Sequence, residues 1–137
     1  MQKRILTALV LAAIGVPATI FGGVFFWLFM ATFVTIAAWE YTTLMKGAKF
    51  EPNQILVIGG SFTVFLIRTY FPEYTEPALT GFVLIAMSLH LVAFARGRDY
   101  AAGDFAITLA GLLYIGWLGS YFVKLRQLDG GLYWFFR

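Results

Sequence analysis

The chain has no cysteine and a single histidine, and charged side chains fill only 12% of its 137 positions. Without cysteine there is no disulfide framework, no thiolate nucleophile and no Cys-ligated metal site, and redox usage says nothing of the compartment. Charge this sparse excludes an ordinary water-soluble domain, in which about a quarter of residues are charged. The deficit is deepest near the start: from Ile5 to Trp39 there is not one Asp, Glu, Lys, Arg or His.

Apolar residues fill the space, at 61% of the chain with a mean hydropathy of +0.81. That composition belongs to the integral membrane class. Barrel strands alternate apolar and polar residues, whereas these runs are apolar on all sides, so the fold class is all-α, a polytopic bundle of transmembrane helices. Crossing about 30 Å of hydrocarbon takes roughly 20 helical residues. The Ile5–Trp39 run is too long for one crossing and nearly right for two, and Gly22-Gly23 marks the turn between them. Spans are expected over about 5–21, 24–44, 54–71, 78–95 and 105–123, within a single membrane region covering 1–137.

Met1-Gln2-Lys3-Arg4 ahead of an apolar run, with Val16-Pro17-Ala18 further on, has the outline of a signal peptide. The apolar pattern continues far past that site, so a retained first span is expected, kinked near Gly15 by Pro17. Glu40, after Trp39, reads as an interfacial carboxylate reaching water; a buried acid paired across helices is the sharper alternative. Arg68, near the end of span three, is expected to snorkel to the interface. His90 is expected in the bundle interior as a hydrogen-bonding group, with no partner nearby in sequence. Pro72 to Pro77, carrying Glu73 and Glu76, reads as a solvated loop with too few oxygens for a hard cation. Gly103 and Asp104 fall in the loop before span five. On that span Ala106, Ala110, Gly116 and Ser120, with Trp117 among them, share one small-residue face suited to close helix packing.

Lys and Arg are unevenly divided between the two sides of five spans. Lys3, Arg4, Lys46, Lys49, Arg96 and Arg98 fall on one side and Arg68, Lys124 and Arg126 on the other, with Arg137 set aside, which favours a cytoplasmic N-terminus. The formal charge of +3 and pI near 9.3 therefore report orientation, and no basic run suits DNA or RNA. Nucleotide-binding signals are missing. Gly111 and Gly116 have the spacing that opens a P-loop, but Trp117-Leu118 comes next where Lys and Ser or Thr are required. Ser120, His90 and Asp104 lie on different segments without a nucleophile-elbow context, so chance explains the trio. The residues supply no catalytic side chain and no metal ligand set, and they leave any substrate-binding position unknown.

Three stretches together resemble the N-terminal membrane region of the phosphatidate cytidylyltransferases, also called CDP-diacylglycerol synthases. They are Lys3-Arg4-Ile5-Leu6-Thr7-Ala8-Leu9-Val10, Ala38-Trp39-Glu40, and Gly111-Leu112-Leu113-Tyr114-Ile115-Gly116-Trp117-Leu118 with Ser120-Tyr121, Leu125-Arg126 and Asp129-Gly130-Gly131 after it. The last is the most specific. The family's later Asp-Thr-Gly and Ser-Pro-Lys-Lys-Thr-like segments and its C-terminal signature do not occur here, so none of its catalytic residues carries over. The resemblance implies part of a phospholipid-biosynthetic nucleotidyltransferase, inactive alone. For the full-length enzyme it implies CTP and phosphatidate as substrates, Mg²⁺ as cofactor, and the bacterial cytoplasmic membrane as location. Leu132-Tyr133-Trp134-Phe135-Phe136-Arg137 reads as the opening of a sixth span, which favours a fragment of a longer chain. The lipid bilayer is the expected partner, and the pattern is compatible with a homo-oligomer. The alternative is a small polytopic membrane protein that packs against a larger complex through the small-residue face of span five.

Overall fold

A computed structural model describes residues 1–137, which form helices and short connections only. α1 (Gln2–Phe21) and α2 (Gly23–Gly47) make the first hairpin, followed by α3 (Gln54–Tyr70), a 3₁₀ turn (Pro72–Tyr74) and α4 (Thr75–Ala95). One long rod then runs through α5 (Ala101–Gly111), a π-helical turn (Leu112–Trp117) and α6 (Leu118–Gln127), and a short α7 (Gly131–Phe136) closes the described chain. α1, α2, the Pro72–Ala95 segment and the Ala101–Gln127 rod are each long and apolar enough to cross a membrane; α3, at 17 residues, is a shorter apolar helix. The expected five apolar helices are present, and the outward side chains suit lipid. Leu6, Leu9, Phe25, Leu84, Leu91 and Phe94 are among the many large apolar residues left exposed, a pattern water would not tolerate.

Gly22 makes the first turn. Its φ of 64° with ψ of −158° lies in a region essentially reserved for glycine. Helix α1 runs unbroken through Pro17. Two expected boundaries are corrected. The Pro72–Pro77 stretch is not a loop: α4 already begins at Thr75, leaving Pro77 in its first turn, where a missing N–H leaves no intrahelical bond unmade. Likewise the rod begins at Ala101, so Gly103 and Asp104 belong to its first turn.

The core is built from α2, α3 and α6: Phe26, Met30, Ala31 and Val34 pack with Phe65 and Val123. α3 crosses the π turn at very short range. A Cβ on Gly116 would lie 2.7 Å from the Ser61 Cα, and one on Gly60 would lie 2.5 Å from the Leu112 Cδ1. Lipid offers no hydrophobic drive for helices to associate, so small residues that let backbones meet supply the packing instead.

The π turn corrects the expected face of span five. Leu118 N–H donates to the Leu113 carbonyl, five residues back; a π turn accommodates extra chain per turn and rotates the residues beyond it by about 100° per inserted residue. The four small residues therefore do not share one buried face. Gly116 and Ser120 are buried, whereas Ala106 and Ala110 are exposed, and α5 buries Ala101, Asp104, Thr108 and Gly111 instead. Gly116→Val is expected to lower stability by about 1–3 kcal/mol, the usual cost of overpacking, because the neighbour it meets is backbone. Gly59→Ala, with nothing within 4 Å of its added methyl, should be neutral or slightly stabilising; thermal unfolding of both variants in one detergent separates the two outcomes.

Candidate functional site

Polar side chains gather where the α2–α3 and α4–α5 connections meet. Asn53 caps α3, its Oδ1 accepting from Leu56 N–H at 2.9 Å. Asp104, 2% exposed, is fully engaged. Its Oδ1 accepts from the Glu51 backbone N–H at 2.8 Å and from Arg98 Nη2 at 3.3 Å, and its Oδ2 accepts from Arg98 Nε at 2.8 Å. Arg98 Nη2 also donates to the Lys49 carbonyl at 3.4 Å. The hydrogen bond to Asp104 raises the guanidinium's already high pKa, against a smaller effect of desolvation, so Arg98 stays charged. Its second ion pair, to Glu51 at 3.6 Å, is weak because that carboxylate is 71% exposed.

Thr108, one turn below Asp104, links three helices. Its hydroxyl donates to the Asp104 carbonyl at 2.8 Å, accepts from Asn53 N–H at 3.1 Å, and lies 3.4 Å from His90 Nε2. The Ala86 carbonyl, 2.6 Å from His90 Nδ1, can only accept, so Nδ1 carries a proton. His90 is thus a buried bundle residue as expected, bonded to the Ala86 carbonyl of its own helix, with the Thr108 hydroxyl, whose proton goes to Asp104, lying beside its Nε2. Tyr41 adds a bond from its hydroxyl to the Ile107 carbonyl at 2.7 Å. Chemically the cluster is a clasp. Both oxygens of the Asp104 carboxylate are occupied, and no three His, Asp or Glu side chains in the chain converge as a metal site would require.

A second tie sits at the other end. Arg126, at the end of α6, donates through Nε to the Thr19 carbonyl at 2.8 Å and through Nη2 to the Ile20 carbonyl at 3.5 Å. It thereby satisfies the C-terminal carbonyls of α1 with a cation of the favourable sign. The same guanidinium would lie 2.7 Å from a Cβ at Gly22, a second reason for glycine there. Gly130 takes a left-handed φ of 72°, and a Cβ on Gly131 would come within 2.5 Å of the Leu125 and Arg126 carbonyl oxygens. The Asp129-Gly130-Gly131 motif is thus a tight reversal that folds α7 back on α6.

Arg68 departs from expectation. Its stem and Nε are buried and the residue is only 7% exposed, with its guanidinium 3.8 Å from the Tyr121 ring centroid and 5.4 Å from that of Trp117. It belongs to neither ion pair of the chain, and its Nε is buried without a hydrogen-bond partner. Burying a cation costs several kcal/mol, while desolvated cation–π contacts return about 2. Glu40 is exposed in the groove between α1 and α2 and takes part in neither ion pair of the chain.

Apolar helices with a lipid-facing exterior, tied by polar contacts at both ends, define a polytopic helical membrane protein. The profile of the cytidylyltransferase family matches residues 2–137, and the chain belongs to that family. It is 27% identical over 132 residues to a protein named phosphatidate cytidylyltransferase from Synechocystis sp., a similarity covering 95% of this chain and 43% of that one. The chain therefore spans less than half the length of this relative. No solved structure matches.

Removing the carboxylate at the clasp strands Arg98 and the Glu51 N–H together. Asp104→Ala is expected to cost about 2–4 kcal/mol, below the upper range for a buried pair because Arg98 is partly solvated. Glu51→Gln should stay within about 0.5 kcal/mol of the parent. Denaturation in detergent checks the order, and equal effects would show that Asp104 is not the hub.

Proposed function

We propose that these residues are the N-terminal membrane portion of a phosphatidate cytidylyltransferase and supply the helical wall beside its lipid substrate. The observation that carries this reading is the family match along nearly the whole chain, joined to the named relative of more than twice its length. In the whole enzyme a phosphate oxygen of phosphatidate attacks the α-phosphorus of CTP. The bond from that phosphorus to the bridging oxygen of the β-phosphate breaks, and pyrophosphate departs, leaving CDP-diacylglycerol. Mg²⁺, which the family implies, finds no fitting donor set in this chain: Asp104 is saturated by Arg98 and Glu51, and the remaining acids are dispersed. CTP and the metal are assigned to other segments of the whole enzyme, and this chain by itself to none of the chemistry.

Supplied with phosphatidate, CTP and Mg²⁺, the purified 137-residue chain is expected to form no CDP-diacylglycerol. Product above a protein-free control would refute its inactivity and place nucleotide chemistry among these helices.

The same reading puts the protein in the bacterial cytoplasmic membrane with its N-terminus inside. The basic asymmetry supports this orientation, since Lys46, Lys49, Arg96 and Arg98 share one end with Met1. The absence of native cysteine makes the test direct. In intact cells a membrane-impermeant maleimide should label Asp129→Cys and leave Gly47→Cys unmodified until the cells are opened; the opposite pattern reverses the topology.

A further inference from the structure

An apolar groove of about 930 Å³ lies between α2 and the π turn–α6 part of the rod. On α2 it extends from Met30 to Ala37, and on the rod from Tyr114 to Leu128, with Lys124 near its outer end as the one charged residue of the lining. Helix α7 is turned into this groove. After the left-handed Gly130, Gly131 lies against the Leu125 and Arg126 carbonyls and Phe135 against Phe122, their ring centroids 6.0 Å apart. α7 therefore runs antiparallel to α6, inward from the end that Arg126 ties to α1. Phe135 also meets the Phe26 ring edge-on at 5.7 Å, one turn before Met30 on α2. Its ring thus occupies the cleft between α2 and α6 where the groove begins.

We infer that in the whole enzyme the helix begun by α7 continues past Arg137 and lies in this groove, parallel to α2 and antiparallel to α6. The inference rests on the reading of these residues as the N-terminal portion of a longer enzyme, for which the named relative has more than twice this length. Three observations point to that occupant. The course of α7 is the first: its two contacts with α6 and its contact with Phe26 already aim the chain along the groove, and no further turn is needed. The tether then holds the segment at high effective concentration. The second is the lining. Ala37 and Gly119 are small, and a Cβ on Gly119 would meet only the Val34 Cγ2, at 3.2 Å; such positions let a helix backbone approach closely, the packing that membrane helices depend on. The third is charge. Inward of Lys124 the lining is wholly uncharged, so the face of the occupant is apolar for about two turns after Phe135. Free lipid would satisfy the same walls but gives no reason for α7 to be turned into the cleft.

Photo-crosslinking in membranes that contain the full-length protein tests the placement, with p-benzoylphenylalanine put in place of Phe33 on one wall or Tyr114 on the other. Both side chains are exposed in the groove, so the probes displace no core residue. Phe33 lies seven residues after Phe26 and Tyr114 eight before Phe122, so at about 1.5 Å per residue both stand level with a position about seven or eight residues beyond Phe135. Peptide mass spectrometry is expected to find adducts from both probes within one helical turn of that position. Adducts only with lipid, with a second copy of the chain, with another protein or with a more distant part of the same chain overturn the inference, as does failure of both probes to react with that segment. The intact mass of the parent protein from the same membranes separates this inference from the reading beneath it. A mass matching 15.3 kDa rejects the whole-enzyme reading and the placement together, whereas a larger mass with adducts elsewhere rejects the placement alone.

Discussion

A backbone surrounded by hydrocarbon has no water to bond, so each segment must satisfy its own N–H and C=O groups and then find packing without hydrophobic help. In this protein that requirement converges on the crossing of α3 with the π turn. Gly60 and Ser61 on one side and Leu112 and Gly116 on the other meet there, and at Gly116 the Ser61 backbone comes closer than a Cβ would allow. The crossing fixes the relation of α3 to α6, and with it the Phe26, Phe65 and Val123 core and the seat of Arg68 against Trp117 and Tyr121. Moving either helix outward by the width of a methyl group would loosen all three.

Charge is scarce, and the structure uses it mainly at helix ends. Asp104 and Arg98 join the α2–α3 and α4–α5 connections, while Arg126 joins α6 to the last carbonyls of α1. Helices whose apolar faces are nearly interchangeable have little to fix their register. Directional bonds at both ends set it, and those bonds are stronger at the membrane boundary than in open water because the local dielectric is low. Arg126 is especially consequential for α1, which buries only Thr19 and otherwise leans on the bundle through α2.

Class, span number and the Gly22-Gly23 turn are legible in the residues because each arises from short-range chemistry: unbroken apolar runs, their length against the bilayer, and a backbone angle that only glycine adopts at low cost. Glu40 and His90 also sit as their chemistry suggests, one exposed and one inside. Asp104 and Arg68 mislead in sequence for a shared reason. A charged residue near the end of an apolar run looks interfacial, and its true burial depends on a partner far along the chain, the Glu51 N–H for one and the Tyr121 ring for the other.

The sequence by itself determined that this chain is an all-helical membrane bundle of five apolar segments, since transfer from water to hydrocarbon is additive along a run and needs no neighbours. Only the tertiary structure decided which face of the long rod is buried. The π turn between Gly111 and Leu118 shifts the helical phase where the rod crosses α3, and a uniform step of about 100° per residue carries no sign of it. The pairing of Arg68 with aromatic rings and the junction of Thr108 with Asn53 and His90 belong to the same category. Contacts between segments dozens of residues apart exist only once close packing has chosen the register.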